Sequence, residues 1–241
     1  RFDQYLFPFY AGDLEAGRLT RDEAAELVAL FWLKLNAEDD DNAHLSLGGQ
    51  HADGRDATND LSALCLQVER WIGRKQPNLS TRIHAGTPAA YWREIARTVR
   101  CGAGHPAVFN DETIVPGLVD HGFDLATARG YAQVGCVETY LPGLAAPWID
   151  CYVNLAKCLE LALNRGRDLF DGAELGPDPG DPTQFADFGC VFRAFEAQVR
   201  HVLHAALARR DAYDAHVSRH APVPFISALT PACLANGRDA V

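Results

Sequence analysis

Three times in the first 110 residues, a stretch with apolar side chains at helical spacing gives way to a short strand-like run. Thr20-Arg21-Asp22-Glu23 reads as a capping box, in which the hydroxyl and the carboxylate each satisfy a free backbone N–H of the first turn. Ala24, Leu27, Val28, Phe31 and Leu35 then recur every three or four residues and predict a helix to about Glu38 with these side chains inward. Leu45-Ser46-Leu47 follows as a short strand running into Gly48-Gly49-Gln50. A second helix starts near Thr58, carries Leu61, Leu64, Cys65, Val68 and Ile72 on one face, and stops at Gly73. Leu79, Thr81 and Ile83 alternate with Ser80, Arg82 and His84, the period of a strand. A third helix is capped by Thr87, has Pro88 in its first turn, turns Trp92, Ile95, Ala96 and Val99 inward and ends at Gly102. Ala107-Val108-Phe109 is the next strand. Helices alternating with short strands define a helix-rich α/β class.

Asp124 caps a short helix that reaches Tyr131. Asp150 stands at the start of another helix, which ends at Gly166. Residues 168–182 are rich in Gly, Pro and Asp and read as a surface excursion. A long helix is expected from about Phe185 to His216, with Phe188, Phe192, Phe195, Val199, Val202 and Leu203 inward. Pro222-Val223-Pro224 breaks it before Phe225-Ile226, which reads as a strand. There is no internal repeat and no linker, so residues 1–241 are expected to belong to one domain.

Composition narrows the function. The formal net charge of −10, without a basic block, argues against binding nucleic acid or an anionic membrane surface. No apolar run approaches the roughly 20 residues of a membrane span, and no signal peptide is expected. Seven cysteines without framework spacing fit reduced thiols and a cytoplasmic location.

The chemistry-bearing stretch is Gln133-Val134-Gly135-Cys136-Val137-Glu138-Thr139-Tyr140-Leu141-Pro142-Gly143. Bounded by glycines and a proline, it reads as an extended loop. In extended backbone, Cys136 and Glu138 point to one side about 7 Å apart, and Val137 points the other way into the core. A thiol beside a carboxyl suits a substrate held between them, one group handling a hydrogen and the other a proton. On spacing alone a buried structural cysteine beside a surface glutamate explains the same residues.

Gly135-Cys136-Val137-Glu138 resembles the active-site motif of glycyl radical enzymes, the pyruvate formate-lyase-like superfamily. So do Arg1-Phe2-Asp3-Gln4-Tyr5-Leu6, Gly48-Gly49-Gln50, Gln76-Pro77-Asn78-Leu79-Ser80, Pro106-Ala107-Val108-Phe109-Asn110-Asp111 and Pro224-Phe225-Ile226-Ser227-Ala228-Leu229, in the family's order. The resemblance implies part of a ten-stranded α/β barrel wrapped by helices, with strand edges and core faces left uncovered. It makes Cys136 the thiyl carrier and Glu138 the general acid or base of a dehydratase or other carbon–heteroatom lyase. Because a sulfur radical is quenched by oxygen and solvent, the thiol is expected in a dry, buried site. The implied radical sits on a glycine outside residues 1–241 and is installed by a radical-SAM activase, with no bound cofactor. The implied partners are a small-molecule substrate, that activase and, at full length, a second copy of the chain. A chain without methionine that starts inside a family motif is expected to be the central part of a longer enzyme, inactive alone.

Other positions follow from the same resemblance. Asp150 falls where glycerol and diol dehydratases carry a substrate-binding aspartate, and equally reads as a helix N-cap. Tyr152 lines the pocket or is a packed aromatic. Thr139 stands where dehydratases usually have proline. Asn42-Ala43-His44 replaces a Phe-Gln-Asn-type stretch, so Asn42 and His44 mark a more polar substrate or are loop residues outside the pocket. Glycine at 135, where pyruvate formate-lyase has a second cysteine, disfavours acyl transfer. A glycyl radical arylacetate decarboxylase, which also carries a Glu at the position of Glu138, and a non-catalytic truncated homologue are the alternatives. The pairs His201/His204 and His216/His220 have zinc-like helical spacing but no Cys or carboxylate in a ligand pattern, and read as a solvated face.

Overall fold

The computed structural model describes residues 1–37, 43–144 and 152–239, which fall into two compact units, Arg1–Pro147 and Trp148–Val241. The first opens with helices α1 (Phe2–Glu15) and α2 (Arg21–Ala37). The capping box at Thr20 forms: its N–H and hydroxyl donate to the Glu23 carboxylate at 2.8 and 2.7 Å, and the Glu23 N–H donates back at 3.2 Å. The face that α2 buries differs from the expected one. Ala24, Ala25 and Trp32 are buried, whereas Leu27 is 57% exposed and Phe31 lies at the surface. The large Trp32 ring decides this, because it packs edge-on against Phe2 and its indole N–H donates to Glu69 Oε2 at 2.9 Å.

Next come β1 (His44–Gly48), α3 (Asp60–Ile72), β2 (Asn78–Ile83), α4 (Ala89–Val99) and β3 (Ala107–Asn110). The strands form a parallel sheet in the order β1-β2-β3, with His44 opposite Asn78 and Ser80 opposite Ala107. The central strand β2 is covered on both faces, so Leu79, Ser80, Thr81 and Arg82 are all buried. The α/β alternation read from the sequence is therefore present.

Helix α3 starts at Asp60, two residues past Thr58, with Asn59 as its cap: Ser62 N–H donates to Asn59 Oδ1 and Asn59 N–H to Ser62 Oγ, both at 3.0 Å. Gly73 ends it in the left-handed region, φ 52°. Leu61, Leu64, Cys65 and Val68 are buried as their spacing requires. Helix α4 is rotated from expectation, burying Tyr91, Ile95 and Thr98 and exposing Trp92 and Val99. Its polar side finds partners across the core: the Tyr91 hydroxyl pairs with Thr81 Oγ1 at 2.8 Å, and Arg70 donates to Thr98 Oγ1 at 3.0 Å. Helices α5 (Asp111–Asp120) and α6 (Leu125–Arg129) follow, the latter capped by Asp124, and a hairpin of β4 (Ala132–Val134) and β5 (Glu138–Tyr140) completes the unit.

The second unit contains α7 (Leu155–Leu163), a 3₁₀ turn (Pro182–Gln184), α8 (Phe188–His220), α9 (Pro224–Leu229) and α10 (Pro231–Asn236). Asn154 caps α7, accepting from Lys157 N–H at 3.0 Å. Asp187 caps α8 through Cys190 N–H at 2.9 Å. The expected Phe188/Phe192 stripe faces outward, with Phe188 77% exposed, and Ala194 and Gln198 are the buried positions. Gln198 is held there by donating to the Pro177 carbonyl at 2.6 Å. Phe225-Ile226 lies in α9 rather than in a strand, since Pro224 at the first turn is pre-set for a helix start. Among the described residues no helix is long and apolar enough to cross a membrane, and no group of three or more His, Cys, Asp or Glu is gathered for a metal ion. The four histidines of α8 that form the two spaced pairs are exposed.

Candidate active site

The stretch expected as an extended loop is a tight β-hairpin. Strands β4 and β5 pair antiparallel with Val134 opposite Glu138, leaving Gly135, Cys136 and Val137 as the tip. Gly135 turns the chain with φ 60°, in the left-handed region that glycine enters without a Cβ clash. Cys136 and Glu138 are therefore neighbours through a turn, and strand alternation does not put them on one face. The Glu138 side chain folds back over the tip, its Oε2 accepting Val137 N–H at 3.0 Å. That oxygen lies 2.7 Å from where a Cβ on residue 135 would sit. Any larger residue at 135 would strain the turn and displace the carboxylate.

Two expectations about this segment are corrected. Val137 does not anchor the loop in the core, being 50% exposed. Cys136 is not buried in a dry site but is a free, exposed thiol at the tip. A three-residue turn at the end of a hairpin projects its central side chain away from both strands, and none of the described residues covers it.

The tip hangs on one carbonyl. Gly135 O accepts from Asn78 Nδ2 at 3.1 Å and from His44 Nδ1 at 2.9 Å, using both of its lone pairs. The other ring nitrogen of His44, Nε2, lies 2.8 Å from Ser80 Oγ. Ser80 and Ser46 in turn reach the Gln133 amide oxygen at 3.2 and 3.0 Å. Burial holds the His44 imidazole below its usual pKa, against the opposing pull of the Gly135 and Cys136 backbone and the Glu138 charge.

The root of the hairpin is fastened by Arg82. Its guanidinium forms a bidentate pair with Asp111, at 2.9 and 2.8 Å, with both side chains buried. A further N–H donates to the Arg129 and Tyr131 carbonyls at 3.0 and 2.6 Å, immediately before β4. The guanidinium also stacks on the Tyr131 ring, 3.7 Å from its centroid, and the Tyr131 hydroxyl donates to Asp111 Oδ1 at 2.7 Å.

The pyruvate formate lyase-like family model matches residues 1–241, the whole of the sequence. The chain belongs to the pyruvate formate lyase-like family. It falls in the family's glycyl radical dehydratase and lyase branch. It is 36% identical to isethionate sulfite-lyase of Oleidesulfovibrio alaskensis, over 99% of this chain and 31% of that protein. It is 32% identical to trans-4-hydroxy-L-proline dehydratase of Clostridioides difficile, over 99% of this chain and 32% of the relative. Among solved structures it matches the Roseburia inulinivorans protein of 1,2-propanediol dehydration with a TM-score of 0.81 and 34% identity, covering 100% of this chain and 32% of the other. This pyruvate formate lyase-like chain thus spans about a third of the length of the proteins it matches.

Of the residues singled out from the sequence, Cys136, Glu138 and His44 come together at the hairpin. Asn42 and Asp150 lie outside the described residues. Tyr152 belongs to the second unit and is 87% exposed, so it is not a packed aromatic there. Asn78, Ser80, Gln133 and Arg82 were not singled out for the site. Asn78 and Ser80 belong to a stretch noted for its family resemblance and, in Ser80, for its strand period. A polar Ser80/Arg82 pair in a strand between two helices was the available signal: such a strand is covered on both faces, so its polar side chains must have buried partners.

Proposed function

We propose that the full-length protein is a glycyl radical enzyme that carries out radical elimination, as a dehydratase or other carbon–heteroatom lyase, on a small polar substrate. The observation that carries this reading is the hairpin, where a free thiol at the tip and a carboxylate folded against the same tip fall on the motif of a family rich in lyases and dehydratases. The glycyl radical, on a segment outside residues 1–241 and installed by a radical-SAM activase, supplies hydrogen-atom abstraction from a thiol. Cys136 fits such a group, because an exposed thiol at a hairpin tip is open to approach by another segment.

In this reading the Cys136 sulfur, once its own hydrogen has been abstracted, takes a hydrogen atom from the substrate carbon, breaking that C–H bond, re-forming S–H and leaving the unpaired electron on carbon. Glu138 takes the proton of the adjacent hydroxyl and delivers one to the leaving group, which departs as water or as the protonated heteroatom group. The hydrogen returned by Cys136 closes the cycle. Asp150, Tyr152 and Asn42 contact the substrate, and no other cofactor is bound. Residues 1–241 are the central part of a single catalytic domain built on a ten-stranded barrel, inactive alone, and the remainder of that domain keeps the thiol dry. The enzyme is a cytoplasmic homodimer.

The test is anaerobic activation of the full-length protein with its activase, followed by a mass-spectrometric screen over diols, hydroxyprolines, amino alcohols, sulfonates and arylacetates. The expected result is an organic-radical EPR doublet with release of water or the heteroatom group. In Cys136→Ser the doublet should form without turnover, since an O–H bond is much stronger than S–H. Carbon dioxide from an arylacetate would replace elimination by decarboxylation. Absence of the doublet in intact, fully activated protein would leave a non-catalytic homologue.

A further inference from the structure

The sequence leaves His44 as either a sign of a more polar substrate or a loop residue outside the pocket; it stands at the start of β1, and its ring has no nitrogen left to offer a substrate. Nδ1 lies 2.9 Å from the Gly135 carbonyl and Nε2 lies 2.8 Å from Ser80 Oγ. A carbonyl can only accept, so the proton sits on Nδ1. Nε2 of the neutral ring then accepts the Ser80 hydroxyl proton, leaving the Gln133 carbonyl to the Ser46 hydroxyl, 3.0 Å away. Strand pairing sets this up: His44 and Asn78 are opposite each other at the start of β1 and β2, so both side chains reach the same carbonyl.

We propose that His44 is a positioning residue: its Nδ1–H, with the Asn78 amide, holds the Gly135 carbonyl and thereby sets the tip that carries Cys136 and Glu138, while Ser80, on the other ring nitrogen, holds the ring's orientation. This deepens the proposed function by naming what holds its hairpin, but it can be read without any turnover.

The experiment is hydrogen–deuterium exchange in the full-length protein, not activated, comparing a peptide spanning residues 131–141 with one in α3 as a folding control. Asparagine places its amide nitrogen where the His Nδ1 stood, and glutamine places it where Nε2 stood. His44→Asn should therefore exchange within about twofold of wild type, whereas His44→Gln and His44→Ala should exchange the hairpin about 3- to 10-fold faster, the range of one net hydrogen bond. If His44→Ala also loosens α3, the Asn/Gln pair decides, and equal behaviour of those two overturns the proposal. Unchanged hairpin exchange in His44→Gln and His44→Ala overturns it as well. In activated enzyme His44→Gln should lower kcat with KM kept, and a raised KM with kcat kept would make His44 a substrate contact instead. If no activation occurs at all, the proposed chemistry fails while the exchange result still stands.

Discussion

At its root the β4–β5 hairpin is fastened by a buried guanidinium that serves a carboxylate, two carbonyls and an aromatic ring, whereas its tip hangs from a single carbonyl held by two neutral side chains. Charge-assisted bonds in a dry core are about twice as strong as neutral ones and tolerate no vacancy. Neutral bonds at a half-exposed tip each contribute about 0.5–1.5 kcal/mol and can be exchanged one at a time. The contrast teaches how a fold can present an exposed thiol: the strands beneath it are fastened by buried charge-assisted bonds, and the turn that carries it is held by fewer and weaker neutral ones.

The largest effect should come from the root. Replacing Arg82 by leucine leaves Asp111 buried without its counter-charge and should cost about 3–5 kcal/mol in denaturation of the full-length protein. A loss below about 1 kcal/mol would mean that the root is not what holds the hairpin. Glu138→Gln acts at the tip, on chemistry rather than stability, and should suppress elimination by about 10²–10⁴-fold while leaving some hydrogen exchange with substrate. Near-normal turnover in that variant would reduce Glu138 to a structural residue of the turn.

Tyr131→Phe sharpens the comparison within the root. It removes the hydroxyl donated to Asp111 and keeps the ring under Arg82, so about 1.5–3 kcal/mol should be lost if the hydrogen bond matters. No loss would assign the work to stacking alone. Smallest is Gly135→Ala, which forces a Cβ into the left-handed region and against the Glu138 carboxylate. It should cost about 1–2 kcal/mol and speed exchange in residues 131–141 without touching α3. A neutral outcome would show that the tip tolerates rearrangement, and that Glu138 is not held where it now lies.

Much that is local is legible in the chain itself. The capping box at Thr20, the stop at Gly73, the cap at Asp124 and the apolar face of α3 depend only on neighbours three or four residues away, and each forms within a residue or so of its expected place. Cys136 and Glu138 are legible as candidates because a resemblance to a short motif rests on residue types, whatever the backbone does. The α/β class follows from the alternation of the two periods.

What only the tertiary structure decided is which face is covered and which polar groups meet. Helices α2 and α4 each carry more apolar residues than one face can hold, and periodicity cannot choose among them. Trp32 and Tyr91 won because each ring also brings a polar group to a buried partner, Glu69 and Thr81. The loop became a hairpin because Gly135 can reverse the chain and because Gln133 pairs with Thr139 and Val134 with Glu138, contacts no extended loop makes. The convergence of His44, Asn78 and Ser80 beneath Gly135 joins positions up to 91 residues apart. Hydrogen bonds across such separations are made only when the strands are in register, so the residues that hold the site are chosen by the sheet rather than by their neighbours in the chain.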